Sequence, residues 1–241
     1  MESTGLRSAM EYCVEQAAPN IIEVNGREFS DKKLNEIQKQ KLSGTIECST
    51  LDAVIGYLNR NMDNLEYGII VHVVSPTEVE VLSQLNEDRN RESVIKAKAI
   101  LPSLKFGQFM DRLSFNIQMQ TKFVPDGEDY FSIMQYVGTA ESGTTKAYGD
   151  DGISQSVVVK TGLTQKEECI VPNPVTLKPF RTFAEVEQPA SKFVFRMDNS
   201  RDIEAALFEA DGNSWRNEAM KNIQHYLEEK IVDTGKVIVI A

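Results

Sequence analysis

The sequence predicts an α+β fold. It expects mostly antiparallel meander sheets with a central helix pair, and a long C-terminal helix followed by a terminal strand. Three observations carry this. Segments of period-2 apolar alternation cluster together, separated by turn signals. Segments of helical period form their own blocks, so strands and helices do not alternate as parallel βαβ units require. The chain has 241 residues, 41% hydrophobic and 26% charged, which is enough apolar surface to offset chain entropy.

The elements follow in order. Met10, Cys13, Val14 and Ala17 recur at helical spacing before Pro19. Asn25-Gly26 lies between short apolar segments, a hairpin signal over 21–29. Residues 31–42 are lysine-rich, with Leu34 and Ile37 as an apolar side, and read as an exposed helix or a connector. Ser49 with Asp52 fits an acidic N-cap box, and Leu51, Val54, Ile55 and Leu58 form the helix face behind it. Residues 68–74 read as an apolar strand carrying His72. Residues 78–82 return after Ser75-Pro76, and 93–101 complete the meander. Phe106, Phe109, Met110, Leu113 and Ile117 predict an amphipathic helix. Tyr130, Ile133, Met134 and Val137 predict its partner, ended by Gly138. Strands are then expected at 144–148 and 153–160 around the turn 149–152, and at 168–171, 175–180, 192–197 and 203–208. Residues 211–214 cap a helix bearing Trp215, Ala219, Ile223, Tyr226 and Leu227, and 236–241 end the chain as a strand. This order predicts one α+β domain over 1–241, with a subdivision allowed near 102–126.

Composition removes several function classes. No apolar run approaches the roughly 20 residues of a membrane span, and residues 1–10 carry no signal-peptide pattern. Cys13, Cys48 and Cys169 are odd in number and have no paired spacing, which favours reduced thiols and a cytoplasmic location over a disulfide scaffold. The net charge of −10 is spread along the chain and disfavours nucleic acid as a partner. Arg89, Arg91, Lys96, Lys98 and Lys105 form a local basic stretch. Its alternation with Ile95, Ala97 and Ala99 reads as a solvated strand face, and it lacks the interleaved aromatics of a single-strand groove.

Catalytic templates fail on inspection. There is no phosphate-binding P-loop, no G-x-G-x-x-G and no closed nucleophile elbow at 152–156. Two histidines, His72 and His225, cannot build a histidine-rich metal site, and no C-x-x-C exists. No cofactor or metal is predicted, and the reading leans away from an enzyme. Asp150-Asp151 between glycines reads as a turn. The densest polar constellation is Lys178, Arg181, Glu185, Glu187 and Arg196. Glu185 and Glu187 are two apart and would share a face if 183–188 were a strand. The cations could meet them across neighbouring strands, either as a charge ladder or as a ligand site.

Within that region, Val-Pro-Asn-Pro-Val-Thr-Leu-Lys-Pro-Phe-Arg-Thr-Phe-Ala-Glu-Val-Glu-Gln-Pro at 171–189 resembles a stretch of uncharacterised bacteriophage and prophage proteins, the YfdQ-like family. The segments 150–155 and 203–212 and the Trp215 helix are similar as well, so the likeness covers the C-terminal two thirds. It implies a phage-encoded protein in the host cytoplasm and transfers no catalytic residues.

Val237, Ile238, Val239 and Ile240 are four β-branched residues in a row. Exposed, they would template aggregation, so the strand must pair within its own sheet or with another subunit. The reading is therefore a non-enzymatic phage accessory protein. It acts by self-association as a homo-oligomer and by binding a host or phage protein, in the service of countering host defence. One alternative is a protein sequestering a small anionic ligand or nucleotide on a fork of Lys178, Arg181 and Arg196. A second is a Mg²⁺-dependent nucleic-acid enzyme using Glu185 and Glu187.

Overall fold

The computed structural model describes residues 3–24, 26–33, 44–86, 89–140, 155–161, 165–171, 173–198, 202–232 and 235–241. The chain divides into two compact units, Met1–Leu42 and Ser43–Ala241. The α+β class is realised in both.

The first unit holds α1 (Ser3–Ala17), β1 (Ile21–Val24) and β2 (Arg27–Ser30). The strands pair antiparallel from Ile21 opposite Ser30 to Val24 opposite Arg27. Gly26 takes φ +73°, the left-handed conformation a tight hairpin needs and L side chains resist. Beyond the hairpin, Asp31 accepts from the Asn20 N–H at 2.8 Å, and the Lys32 ammonium donates to the carbonyls of Gln16 and Ala18 at the end of α1. A cation there also meets the negative end of the helix dipole.

The second unit contains two buried clusters. One lies under a five-stranded sheet built from β3 (Ile46–Cys48), β4 (Ile69–Ser75), β5 (Glu78–Leu82), β6 (Ser93–Lys98) and β13 (Val237–Ile240), in the order β13-β4-β5-β6-β3. β4, β5 and β6 form the antiparallel meander, while β13 and β3 add in parallel at either edge. Period-2 alternation puts Ile69, Val71, Val73, Val79 and Val81 on one face. That face is covered by α2 (Leu51–Arg60), through Leu51, Val54 and Ile55, and by α5 (Trp215–Lys230), through Ile223 and Leu227. The opposite face, with Ile70 and His72, is half-buried. His225 is exposed on α5.

The other cluster packs α3 (Arg112–Lys122) and α4 (Glu128–Thr139) on a four-stranded antiparallel sheet. That sheet comprises β7 (Met110–Asp111), β10 (Val175–Leu177), β11 (Ser191–Asp198) and β12 (Glu204–Glu209), in the order β10-β11-β12-β7. Phe115, Phe123, Phe193 and Phe195 are essentially inaccessible. A separate hairpin pairs β8 (Gln155–Thr161) with β9 (Gln165–Val171).

Several local expectations shift. The first helix of the pair begins at Arg112, because the Asp111 carboxylate accepts from the Ser114 N–H and caps it there. Its buried face is then Phe115, Gln118 and Met119, while Leu113 and Ile117 are more than half exposed. The cap of α2 is Thr50, whose hydroxyl accepts from Ala53 N–H at 3.3 Å, one residue later than the Ser49 box. β3 was not anticipated. Residues 183–188 form a turn rather than a strand. The expected turn at 149–152, the strand at 144–148 and most of the segment 31–42 lie outside the described residues.

Candidate functional site

The polar constellation predicted around 178–196 sits on the chain between β10 and β11, which passes from one core to the other. Val175 and Leu177 belong to the four-stranded cluster, and Phe183 and Val186 to the five-stranded one. A buried amide holds this crossing. The Gln188 side-chain oxygen accepts from the N–H groups of Arg181 (2.9 Å) and Thr182 (3.2 Å). Its NH₂ donates to the carbonyls of Phe183 (3.0 Å) and Val186 (3.3 Å). The Thr182 hydroxyl donates to Pro76 O at 2.6 Å, anchoring the crossing to the β4–β5 turn. Backbone groups that no sheet could pair are thereby satisfied.

Four of the five predicted residues lie on this crossing, and Arg196 lies beyond it on β11. Lys178 donates to Asp126 at 3.0 Å and to Glu187 at 3.1 Å. These two acceptors raise its pKa, and Lys178 in turn lowers that of Asp126. Glu185 turns the other way and accepts from the Leu51 N–H at 2.8 Å, supplementing the Thr50 cap at the positive end of α2. It also helps raise the pKa of half-buried Cys48, where burial is the larger cause. Arg196 lies on β11 opposite Ala206, half-buried and engaged in interactions of its own. Lys178 and Glu187 are thus brought together, while Glu185 serves α2.

Arg181 is 5% exposed. Its guanidinium lies over three rings, 4.7 Å from the centroid of Trp215, 5.0 Å from Phe106 and 5.2 Å from Phe193. Its Nη1 pairs with Glu209 at 3.1 Å and reaches Ser191 Oγ at 3.5 Å. Burial lowers its pKa, against the opposing pull of Glu209 and Asp211. An arginine is retained as a cation under such burial, and here aromatic faces replace part of its lost hydration. Lys178 and Arg181 each hold carboxylates in this arrangement.

Around Arg181 lie residues the sequence did not single out for a site. Asp211 and Ser214 read there only as a helix cap, and Trp215 only as a helix face. Asp211, Ser214, Ser191, Lys192 and Thr176 line a cleft of about 420 Å³. No periodicity could have found it, because it joins a strand end to a helix start across some twenty residues.

Val237–Ile240 pairs within its own chain, in parallel with β4. Val237 and Val239 pack against the five-stranded core, whereas Ile238 and Ile240 are 59% and 43% exposed. The Ile69 N–H donates to Lys236 O at 3.1 Å. Backbone groups alternate in direction along a strand, so Lys236, Ile238 and Ile240 point theirs at β4 and Val237 and Val239 point theirs away. Among the described residues no strand pairs with that outer edge.

Among the described residues no group of three histidine, cysteine, aspartate or glutamate side chains is placed to hold a metal ion, and no helix is long and apolar enough to cross a membrane. No protein-family model, curated protein or solved structure matches the chain.

Proposed function

We propose that this chain is a non-enzymatic binding protein that self-associates through the outer edge of β13. The observation that carries the reading is the pair of outward-pointing backbones at Val237 and Val239 beside exposed Ile238 and Ile240. Such an edge pairs with any compatible strand, and a second copy of itself is compatible by symmetry. A two-fold axis normal to the sheet relates the copies when Val239 faces Val239 of the second copy. Each then donates to and accepts from the other. Ile238 falls opposite Ile240 of the second copy as a non-hydrogen-bonded pair, whose side chains approach closely. This register gives every outward backbone group of β13 a partner and shields both isoleucines.

The resemblance at 171–189 supports the rest of the reading: a phage-encoded protein acting in the host cytoplasm, with a host or phage protein as its further partner, countering host defence. The exposed apolar residues of the first unit, among them Leu6, Met10, Val14 and Phe29, offer such a partner contact area.

The test is the substitution Val239→Pro, with mass measured by light scattering. The Val239 N–H points away from β4, so proline there removes a donor from the outer edge while leaving the β4 pairing intact. The expected result is a dimeric parent and a folded monomeric variant. A monomeric parent, or a folded variant of unchanged dimeric mass, contradicts the proposal.

A further inference from the structure

The pairing proposed for β13 brings more than two strand edges together. β13 belongs to a sheet whose buried face carries α2 and α5. A two-fold axis normal to that sheet sets both buried faces on the same side. The helix beside β13 therefore either meets its own copy across the joined sheet or leaves a gap there.

That helix is α5. It runs along β4 and β13, whereas α2 runs along β6, so α5 is the one nearer the edge. Its side-chain rows fix which flank turns outward. Ala219, Ile223 and Leu227 form the buried row. Asn222 and Tyr226, each one residue before a member of that row, point inward across the sheet. The Tyr226 hydroxyl donates to Asp52 of α2 at 2.7 Å, and the Asn222 amide donates to Glu187 O at 3.0 Å. Met220, Gln224 and Glu228 each come one residue after a member of the buried row. A step of about 100° turns them to the opposite flank, over β13. Met220 and Gln224 are half-buried, and Met220 packs against the five-stranded core, as Val237 and Val239 do. The Gln224 amide donates to Glu228 at 2.8 Å, so the polar end of the row is satisfied within the helix.

Strand spacing decides between contact and gap. A helix between β4 and β13 stands about half of the roughly 4.8 Å strand spacing inside β13, and the two-fold axis stands as far outside it. α5 is then about 5 Å from the two-fold axis and about 10 Å from its copy, a distance at which helices pack. We infer that α5 forms the second half of the self-association interface. Met220, Gln224 and Glu228 pack antiparallel against the same row of the second copy, over a floor of Val237 and Val239 from both chains. α2 and α5 already make such a neighbour contact within one chain, so the joined sheet continues the pattern. The inference rests on the β13 reading and adds to it side chains that favour a second copy over any other compatible strand.

A symmetric contact doubles every substitution, so charges at Gln224 test it. Gln224→Glu and Gln224→Lys each place two like charges across the two-fold axis, within about one Debye length at roughly 0.1 M salt. Dimer dissociation constants are read by sedimentation equilibrium on the full chain. Each variant is expected to dimerise several-fold more weakly than the parent. Most of that loss is expected to be recovered at about 1 M salt, where screening acts over about 3 Å. An equimolar mixture of the two is expected to form heterodimers more tightly than either variant pairs with itself. His225→Glu adds the same charge one residue further round, at an exposed position, and is expected to leave the constant unchanged. A dimeric parent whose constant survives both Gln224 variants overturns this inference and leaves the β13 pairing standing. A mixture no tighter than its components, or an equal loss in His225→Glu, does the same. A monomeric parent overturns both.

Discussion

The two units of the chain treat apolar residues in opposite ways. In Ser43–Ala241, alternating valines and spaced leucines, isoleucines and phenylalanines are driven into two clusters whose members are nearly all inaccessible. In Met1–Leu42, Leu6, Met10, Tyr12, Val14, Ile21 and Phe29 are each more than half exposed, although their spacing in sequence is just as regular. Periodicity fixes which side of an element is apolar, but burial needs a second layer to cover that side. A 15-residue helix and a single hairpin of two four-residue strands are each marginal alone in water. The second unit must therefore carry nearly all the folding free energy.

Substitutions sharpen the contrast. The largest effect is expected at Phe195→Ala, which empties a site with no exposure at the centre of the four-stranded cluster. A loss of about 3–5 kcal/mol in chemical denaturation is expected. Glu185→Ala removes the side chain that accepts from Leu51 N–H and is expected to cost about 1–2 kcal/mol, with Thr50 still capping α2. At the small end, Leu6→Ala in the first unit is expected to change stability by no more than about 0.5 kcal/mol. A loss at Leu6 as large as that at Phe195 would break the comparison.

Alkaline titration addresses the five-stranded core separately. The Tyr226 hydroxyl donates to Asp52 at 2.7 Å, joining α5 to α2. Burial first, and then the Asp52 carboxylate, push its pKa up to about 12. An unfolded tyrosine titrates near about 10. The folded state thus favours the protonated form, so its contribution is fully present below about pH 10 and is lost as pH rises towards 12. Tyr226→Phe is expected to flatten that part of the stability profile, read by thermal denaturation across the alkaline range. A variant with the parent's alkaline slope would show that the pair contributes nothing.

Much of the fold was legible. The β4–β5–β6 meander follows from alternation around Ser75-Pro76, and α4 and α5 follow from helical spacing and the glycines before them, Gly127 and Gly212, although α4 runs on through Gly138, where the sequence predicts its end. The register of α3 was not. Phe106, Phe109 and Met110 continue its apolar pattern upstream, and only the Asp111 cap decides where the helix begins. The site was legible as a region and not as a geometry. Arg181 and Glu185 are four residues apart, yet a turn held by Gln188 sends one into an aromatic cage and the other to a helix terminus. The partners that give Arg181 its meaning, Glu209, Asp211 and Trp215, come from residues 28 to 34 positions away, and no local pattern encodes that.

The central claim is that β13 meets its own copy with Ile238 opposite Ile240. Oxidative cross-linking reads that register directly, in a chain whose Cys13, Cys48 and Cys169 are replaced by serine. A mixture of Ile238→Cys and Ile240→Cys chains is expected to give covalent dimers. Each variant alone is not, because its own pair of sulfurs would be diagonal, with Cα atoms beyond the roughly 7 Å a disulfide tolerates. No covalent dimer in the mixture, or dimers formed equally well by either variant alone, would contradict the account.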